Sequence, residues 1–308
     1  MDTFTSVLKP ATKEASDILI SFYVVLGVAA IIFAVVAGLA LYALYRFRRR
    51  EGREPKIFRE NVRLEVLWTF IPLFIVTGLF VVAVWTMALV NPPAHGHQPD
   101  LTVTAHQWWW ELHYPQSGVT AANEIHLPAG KRQLLRFESA DVIHGFWVPS
   151  LGKKIDVIPG HPNHLWLTLE QPGVYLGACS SFCGMGHGKM GIRAIVEAPG
   201  DFNTWLGSQQ QPASSPSTAQ AAKGAGVFME KNCVNCHSIK GFATGHVAPD
   251  LTHVASRETL AAGTLSNTPE NLSRWLKNPQ AVKDCNMPDI GLSDEQVGYL
   301  VAYLGGLK

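Results

Sequence analysis

CSSFCGMGHGKM, residues 179–190, gathers two cysteines, a histidine and a methionine into one short stretch of a 308-residue chain with five cysteines in all. In an oxidising compartment two neighbouring cysteines can pair as a disulfide, and zinc accepts Cys, Cys, His and one further His. Neither reading explains Met190, because zinc rarely takes a thioether whereas copper does so readily. One Cys, one His and a weak axial Met from a single loop, completed by a His from a separate strand, make the blue-copper pattern. This loop carries both Cys179 and Cys183. Paired thiolates can bridge two coppers, so that one electron is shared and each metal changes its bond lengths little on transfer. A fast relay requires that.

The surroundings of the loop predict an all-β sandwich or barrel. Between Asp100 and Glu197 the segments LTVTA, NEIHLPAG, RQLLRFE, VIHGFWVP, HLWLTLE, GVYLGAC and GIRAIVE are short, rich in β-branched and aromatic residues, and separated by turn residues. Upstream, Ile18–Tyr45 and Val66–Val90 contain no charged residue, and each exceeds the roughly 20 residues that cross a bilayer core as a helix. Their length argues against buried soluble helices and against a cleaved signal peptide, whose apolar region is about 7–15 residues. The connection RFRRREGREPKIFRENVRLE holds eight Arg or Lys against four Glu, which assigns it to the cytoplasmic side. The N-terminus and everything after Val90 then lie on the opposite face, the periplasm in a bacterium. His95 and His97, in PPAHGHQP, read as part of a solvated hinge.

Downstream, SQQQPASSPSTAQAA (Ser208–Ala222) lacks charge and aromatics and reads as a flexible linker. From Lys223 the pattern turns helical, with PENLSRWLK and a closing SDEQVGYLVAYLGGL that opens on Ser and acidic residues as a helix start does. The expected organisation is therefore 1–95 transmembrane hairpin, 96–207 β domain, 208–222 linker and 223–308 α domain. A formal net charge of +1 with 16% charged residues gives no basis for nucleic-acid binding.

CVNCH, Cys233–His237, is the spacing in which two thiols attach a c-type heme and the adjacent imidazole takes one axial position. A zinc knuckle or a disulfide is the alternative. NMPDIG supplies Met287 as the second axial ligand, and His with Met favours electron transfer at a relatively high potential. Cys285, two residues earlier, reads as a free buried thiol.

HVAPDLT, RWLKNP and YLVAYL resemble a class I cytochrome c, which implies that Pro249 holds the proximal loop and that His237 donates its other N–H to nearby backbone. KDCNMP departs from that family's longer, Gly-containing approach to the methionine. The whole chain is similar to subunit II of heme-copper cytochrome c oxidases, in the caa3-type arrangement with a fused cytochrome. The resemblance implies a two-helix hairpin, a cupredoxin-like sandwich and an all-α cytochrome c domain.

It also implies that Cys179 and Cys183 bridge a dinuclear copper centre, CuA, and that His144 and His187 cap one copper each. Met190 would be a weak axial ligand and the backbone carbonyl of Ser181 the other. Trp108, in HQWWWELHY, would lie where electrons arrive, Asp156 would face subunit I, and Glu65 would mark the cytoplasmic mouth of a proton path. Without the family these positions have plainer readings: His144 a half-buried histidine, the tryptophans core aromatics, Glu65 a residue snorkelling at a helix end. Ser181 stands where the family has a Glu that helps bind Mg²⁺ at the boundary with subunit I, which weakens the case for that ion.

The implied function is electron input to a terminal cytochrome c oxidase: through heme c and CuA to subunit I, where O₂ is reduced to water with proton translocation. Implied partners are subunits I and III, cytochrome c or another periplasmic donor, and the lipid bilayer of a bacterial inner membrane, with no nucleic acid. The CuA-bearing subunit of a nitric oxide reductase is the nearest rival. A membrane-tethered copper carrier, the other, would have no use for a covalent heme. Quinol oxidases are disfavoured because their subunit II lacks these cysteines. Both metal sites look saturated, so catalysis at O₂ needs the partner.

Overall fold

The computed structural model describes residues 3–4, 6–49, 51–52 and 60–308; the middle of the basic connection, Arg50 and 53–59, lies outside the described residues. The chain divides into two compact units, Ser16–Pro92 and the remainder, Met1–Ala15 with Pro93–Lys308.

Helices α1 (Lys13–Arg46) and α2 (Val62–Val90) account for the smaller unit. Both begin before the charge-free runs, because capping side chains set the starts. Thr12 Oγ1 accepts from the N–H of Ala15 at 2.9 Å, and Asn61 Oδ1 accepts from that of Leu64 at 3.3 Å; each cap satisfies a donor the first turn leaves open. Apolar side chains project all round, Phe33 being 74% and Phe74 71% exposed, as expected of helices that span lipid. Ser21 and Thr86 hydroxyls lie 2.7 Å apart between the two helices.

The larger unit begins with β1 (Thr3–Phe4) and then builds a sandwich from β2 (Leu101–His106), β3 (Trp109–Tyr114), β4 (Val119–Ala122), β5 (Glu124–Pro128), β6 (Arg132–Ser139), β7 (His144–Trp147), β8 (Ile155–Val157), β9 (Asn163–Thr168), β10 (Gly173–Cys179) and β11 (Gly191–Glu197). One sheet runs β4-β3-β2-β6-β9, the other β5-β11-β10-β7-β8 with β1 added to β10. Burial alternates as a half-covered sheet requires: Leu101, Val103 and Ala105 face inward on β2, and Ile192, Ala194 and Val196 on β11. Trp110, Phe137 and Phe146 are the largest fully buried side chains between the sheets. All seven expected strand segments form strands, and β3, β4 and β8 join them. β3 escapes a period-two reading because WWELHY is aromatic on both faces; β4 and β8 are too short to show a period.

Helix α3 (Pro199–Gln209) lays Phe202, Trp205 and Leu206 against the sandwich core. The last part packs α4 (Ala219–Glu230), α5 (Pro269–Lys277), α6 (Pro279–Val282) and α7 (Asp294–Leu304) around Phe228, Ile239, Leu300 and Tyr303. α7 opens with a capping box between Ser293 and Gln296, as its sequence suggests.

The expectation of a flexible linker over Ser208–Ala222 is corrected at both ends and in the middle. α3 runs through Gln209, and α4 starts at Ala219 behind its cap Thr218. Between them Lys240 Nζ donates to Gln210 O (2.5 Å), His253 Nε2 lies 3.1 Å from Gln211 O, and the N–H of Ala213 donates to Lys240 O (3.4 Å). A composition poor in apolar residues excludes a core of its own, but it leaves backbone carbonyls that an adjoining domain can use.

Candidate metal centre

β7 and β10 are antiparallel neighbours, with Phe146 opposite Cys179, so His144 and Cys179 reach the same end of the sheet from separate strands. Beyond Cys179 the chain turns back: the N–H of Ser180 donates to Gly145 O (2.8 Å), a short 3₁₀ turn spans Met185–Lys189, and the N–H of Cys179 donates to Met190 O (2.9 Å). Gly145 makes the return possible, since a Cβ there would lie 2.5 Å from Ser180 Oγ and 2.9 Å from Ser181 N.

Five side chains and one carbonyl converge as a result. Cys179 Sγ lies 3.8 Å from Cys183 Sγ, 3.9 Å from His144 Nδ1 and 3.2 Å from Ser181 O. Cys183 Sγ lies 3.6 Å from His187 Nδ1 and 4.0 Å from Met190 Sδ. His144, Cys179, Cys183 and Met190 are all buried, and the ligand atoms of His144, Cys179 and Cys183 fall within 4.8 Å of one another. A soft, sulfur-rich set with two imidazoles fits copper by its donor chemistry. Burial opposes ionisation at Cys179, but His144 and the backbone of Gly145 and Ser181 prevail and draw that thiol below its ordinary range. Burial and the Cys179 charge push the Cys183 thiol up.

Three supporting residues were not read from the sequence. Asp141 Oδ1 sits 2.8 Å from His144 Nε2, so the ring presents Nδ1 to the sulfurs. A carboxylate on the far nitrogen is the usual partner of a metal-binding histidine, and an acid three residues before His144 was the available signal. Gln107 Nε2 and Trp108 Nε1 both donate to Cys183 O, at 2.7 and 2.9 Å. Trp108 thereby touches the ligand loop directly. Lys283, from the last domain, donates to Trp108 O at 2.9 Å, and nothing in its sequence neighbourhood marks it.

Ser181 directs its hydroxyl to Asp156 Oδ1 (3.3 Å), and Lys154 Nζ lies 3.2 Å from the same oxygen. Ser181 thus brings no carboxylate of its own, the group through which proteins usually hold Mg²⁺. Glu65 stands exposed in the first turn of α2, where the positive end of the helix dipole favours an acid.

In the last domain Cys233 opens a single 3₁₀ turn and Cys236 caps its end. His237 Nδ1 lies 2.8 Å from Pro249 O, leaving Nε2 available, and burial holds the imidazole below its ordinary value and so neutral. Met287 packs against the same apolar cluster as Cys233 and Val234. Val247, whose N–H donates to Cys236 O, is 73% exposed, leaving apolar surface beside the turn. Two thiols, a neutral imidazole and a thioether fit a covalently attached heme. Cys285 remains a half-buried free thiol, its Sγ 3.7 Å from Met287 O.

Known proteins match this arrangement part by part. Residues 8–89 match the family described as cytochrome C oxidase subunit II, transmembrane domain, residues 116–198 its periplasmic domain, and residues 221–308 cytochrome c. The chain is 32% identical to cytochrome c oxidase subunit 2 of Alkalihalophilus pseudofirmus, over 98% of this chain and 91% of that one. It is 30% identical to the Bacillus subtilis protein of the same name, over 99% and 92%. The solved periplasmic domain of subunit II of cytochrome oxidase of Bradyrhizobium japonicum is 31% identical, covers 37% of this chain and 95% of that one, and superposes with a TM-score of 0.35. With likeness to subunit 2 proteins running the length of both partners, the chain belongs to the cytochrome c oxidase subunit II family and is an electron-input subunit of a terminal oxidase.

Proposed function

We propose that the chain takes electrons from a periplasmic donor, cytochrome c or a similar carrier, at its cytochrome domain and passes them by way of the 179–190 loop to subunit I. Family membership implies CuA copper, heme c and a subunit I partner; the residue assignments are ours. Cys179, Cys183, His144, His187, Met190 and the Ser181 carbonyl hold the copper pair, and Cys233, Cys236, His237 and Met287 hold the heme. Each group, once bound, supplies reversible one-electron acceptance. The protein keeps water from the donor atoms, fixes the His144 ring through Asp141, and ties the loop to Trp108 through the Cys183 carbonyl. Low reorganisation follows from that rigidity.

One observation carries the proposal: two thiols, two imidazoles and a thioether meet within about 4 Å contacts, with His144, both thiols and Met190 buried and His187 half-buried. The two membrane-length helices and the transmembrane-domain match support an inner-membrane subunit whose folded domains face the periplasm. Subunit III completes the assembly in this reading, and Glu65 admits protons toward subunit I. O₂ is reduced to water there.

Metal analysis and electron paramagnetic resonance test the reading. Each chain should carry two coppers and one covalent heme, and Cys183→Ser should abolish the mixed-valence copper signal while sparing the heme. One copper per chain with a mononuclear spectrum would defeat the dinuclear assignment. Oxygen uptake by the purified complex, compared with consumption of NO, separates an oxidase from a nitric oxide reductase.

A further inference from the structure

Two buried charges cross between the sandwich and the cytochrome domain in opposite directions. Glu124, at the start of β5, is 3% exposed and lies 3.7 Å from Nε of Arg193 on β11, whose guanidinium also pairs with Glu258 of the cytochrome domain. It accepts from the N–H groups of Glu258 (3.0 Å) and Thr259 (2.8 Å) and from the Thr259 hydroxyl (2.6 Å), all in the cytochrome domain. Lys283, just after α6, is likewise 3% exposed. Its Nζ donates to Trp108 O (2.9 Å) and Lys189 O (2.7 Å) in the sandwich, with Ala261 O at 3.5 Å. Burial pulls the Lys283 ammonium down to about 8, a cost that the ring of carbonyl oxygens offsets.

The backbone between these two points is shaped to the same contact. Ala261 and Ala262 both have positive φ, 52° and 55°, a conformation alanine adopts only where its surroundings impose it. The carbonyl of Ala261 faces Lys283, and that of Ala262 accepts from the N–H of Gly191 (3.0 Å), next to Met190. A Cβ on Gly186 would come within 2.5 Å of the Trp108 ring and 2.6 Å of Asp284 O, so the ligand loop, the indole and the cytochrome segment are layered without spare room.

We propose that Glu124 and Lys283 are reciprocal positioning residues that lock the cytochrome domain in one pose over Trp108 and the 179–190 loop. Electron passage between the domains then needs no docking search. Neither residue touches a redox group. Each acts through the backbone it holds, and the Ala261–Ala262 pair, in its positive-φ conformation, presents those carbonyls. This rests on the function proposed above, and the test reads the lock and the electron separately.

The assembled, heme- and copper-loaded oxidase is prepared with Glu124→Gln, with Lys283→Met, and with both. The first reading is hydrogen exchange at the amides of Glu258, Thr259 and Gly191, which the interface protects. Leaving a buried charge or its partners unsatisfied shifts the docked-to-open ratio by at least about tenfold, so exchange at these amides should quicken by about that factor in each single variant and by more in the double. The second reading is heme-to-copper electron passage after rapid photoreduction. It should be a single fast phase in the parent, and in the double variant should be slowed about tenfold or more and become dependent on solvent viscosity, with heme and copper spectra unchanged. Lys283→Arg, which keeps a charged donor, should restore most of the rate. If Lys283→Met fails to assemble, Glu124→Gln alone carries both readings. Unchanged amide protection, or lost protection with an unchanged transfer rate, would overturn the proposal. A parent that holds both groups yet passes no electron between them would instead refute the relay, and the exchange measurement would still decide the lock.

Discussion

Gly145 follows a proposed copper ligand and lies under the loop that brings the others, so adding one methyl there tests how the site is built. In Gly145→Ala the new Cβ would meet Ser181 N at 2.9 Å, where ordinary contact begins at 3.4 Å. The Ser180 and Ser181 hydroxyls, at 2.5 and 2.7 Å, can rotate away, but the amide nitrogen cannot move without the loop. The strand cannot retreat either, because Phe146 beside it is 1% exposed and packed edge-on to Trp110 at 5.7 Å. Overpacking of this kind costs about 1–3 kcal/mol. It should appear as loss of the Ser180 N–H bond to Gly145 O, with a longer path from His144 to the sulfurs. Amide exchange at Ser180 should therefore accelerate roughly 5- to 150-fold by that free energy, and the copper hyperfine pattern should change. Gly188→Ala is the control: it lies in the same loop with nothing within 4 Å of its Cβ, and should stay within about 0.5 kcal/mol of the parent. Parent-like Ser180 exchange and an unaltered copper spectrum in Gly145→Ala would refute the claim that Gly145 sets the approach of loop to strand.

Trp110→Ala should destabilise the sandwich by about 3–5 kcal/mol, because the indole is fully buried between Phe146 and His144; urea unfolding of the β domain, followed by its own amides, checks this. Glu111 is held below its ordinary 4.5 first by its contact with His106, at 3.6 Å, against the opposing effect of burial. Its contribution to stability is present above the unfolded value and lost as pH falls through the lower folded one; melting curves should show Glu111→Gln flattening the acid limb below about pH 4.5, and an unchanged limb would dismiss the pair. Glu65→Gln should slow steady-state oxygen turnover while leaving heme-to-copper transfer unchanged, and turnover equal to the parent across pH would leave Glu65 only its place at the helix dipole.

The copper loop was legible because its chemistry is local. Cys179, Cys183, His187 and Met190 lie within one turn of chain, and only His144 had to come from elsewhere, which the resemblance supplied. Strand positions were legible where one face is apolar and the other polar, as in β11. They were hidden in β3, whose Trp109–Trp110 pair places one indole against His106, with ring centroids 4.4 Å apart, and buries the other. Helix limits were read from charge-free runs. A membrane core ends where charge begins, whereas a helix ends where its caps lie, so α1 starts at Lys13 rather than Ile18.

What stayed hidden is the contact between the cytochrome and the sandwich, and the reason is physical. Glu124 and Lys283 are charged residues without periodic context, and a sequence reader assigns such residues to solvent because charge is almost never buried unless paired. Here most of the partners are backbone N–H and C=O groups, which every residue has and which no sequence pattern distinguishes, and the charged partner of Glu124, Arg193 at 3.7 Å, lies far along the chain in β11. The Ser208–Ala222 segment misleads for the same reason: its composition says that it builds no core, yet main-chain atoms of Gln210, Gln211 and Ala213 bind Lys240 and His253. A tether and a strap can have the same composition. The difference lies in which neighbour offers donors to the carbonyls, and that is a property of the folded surface the segment crosses. An interface held largely by side chain to backbone therefore tolerates drift in the backbone-contributing residues while fixing the two charges, so exchanging Gln211 or Ala213 should matter far less to the relay than exchanging Glu124 or Lys283.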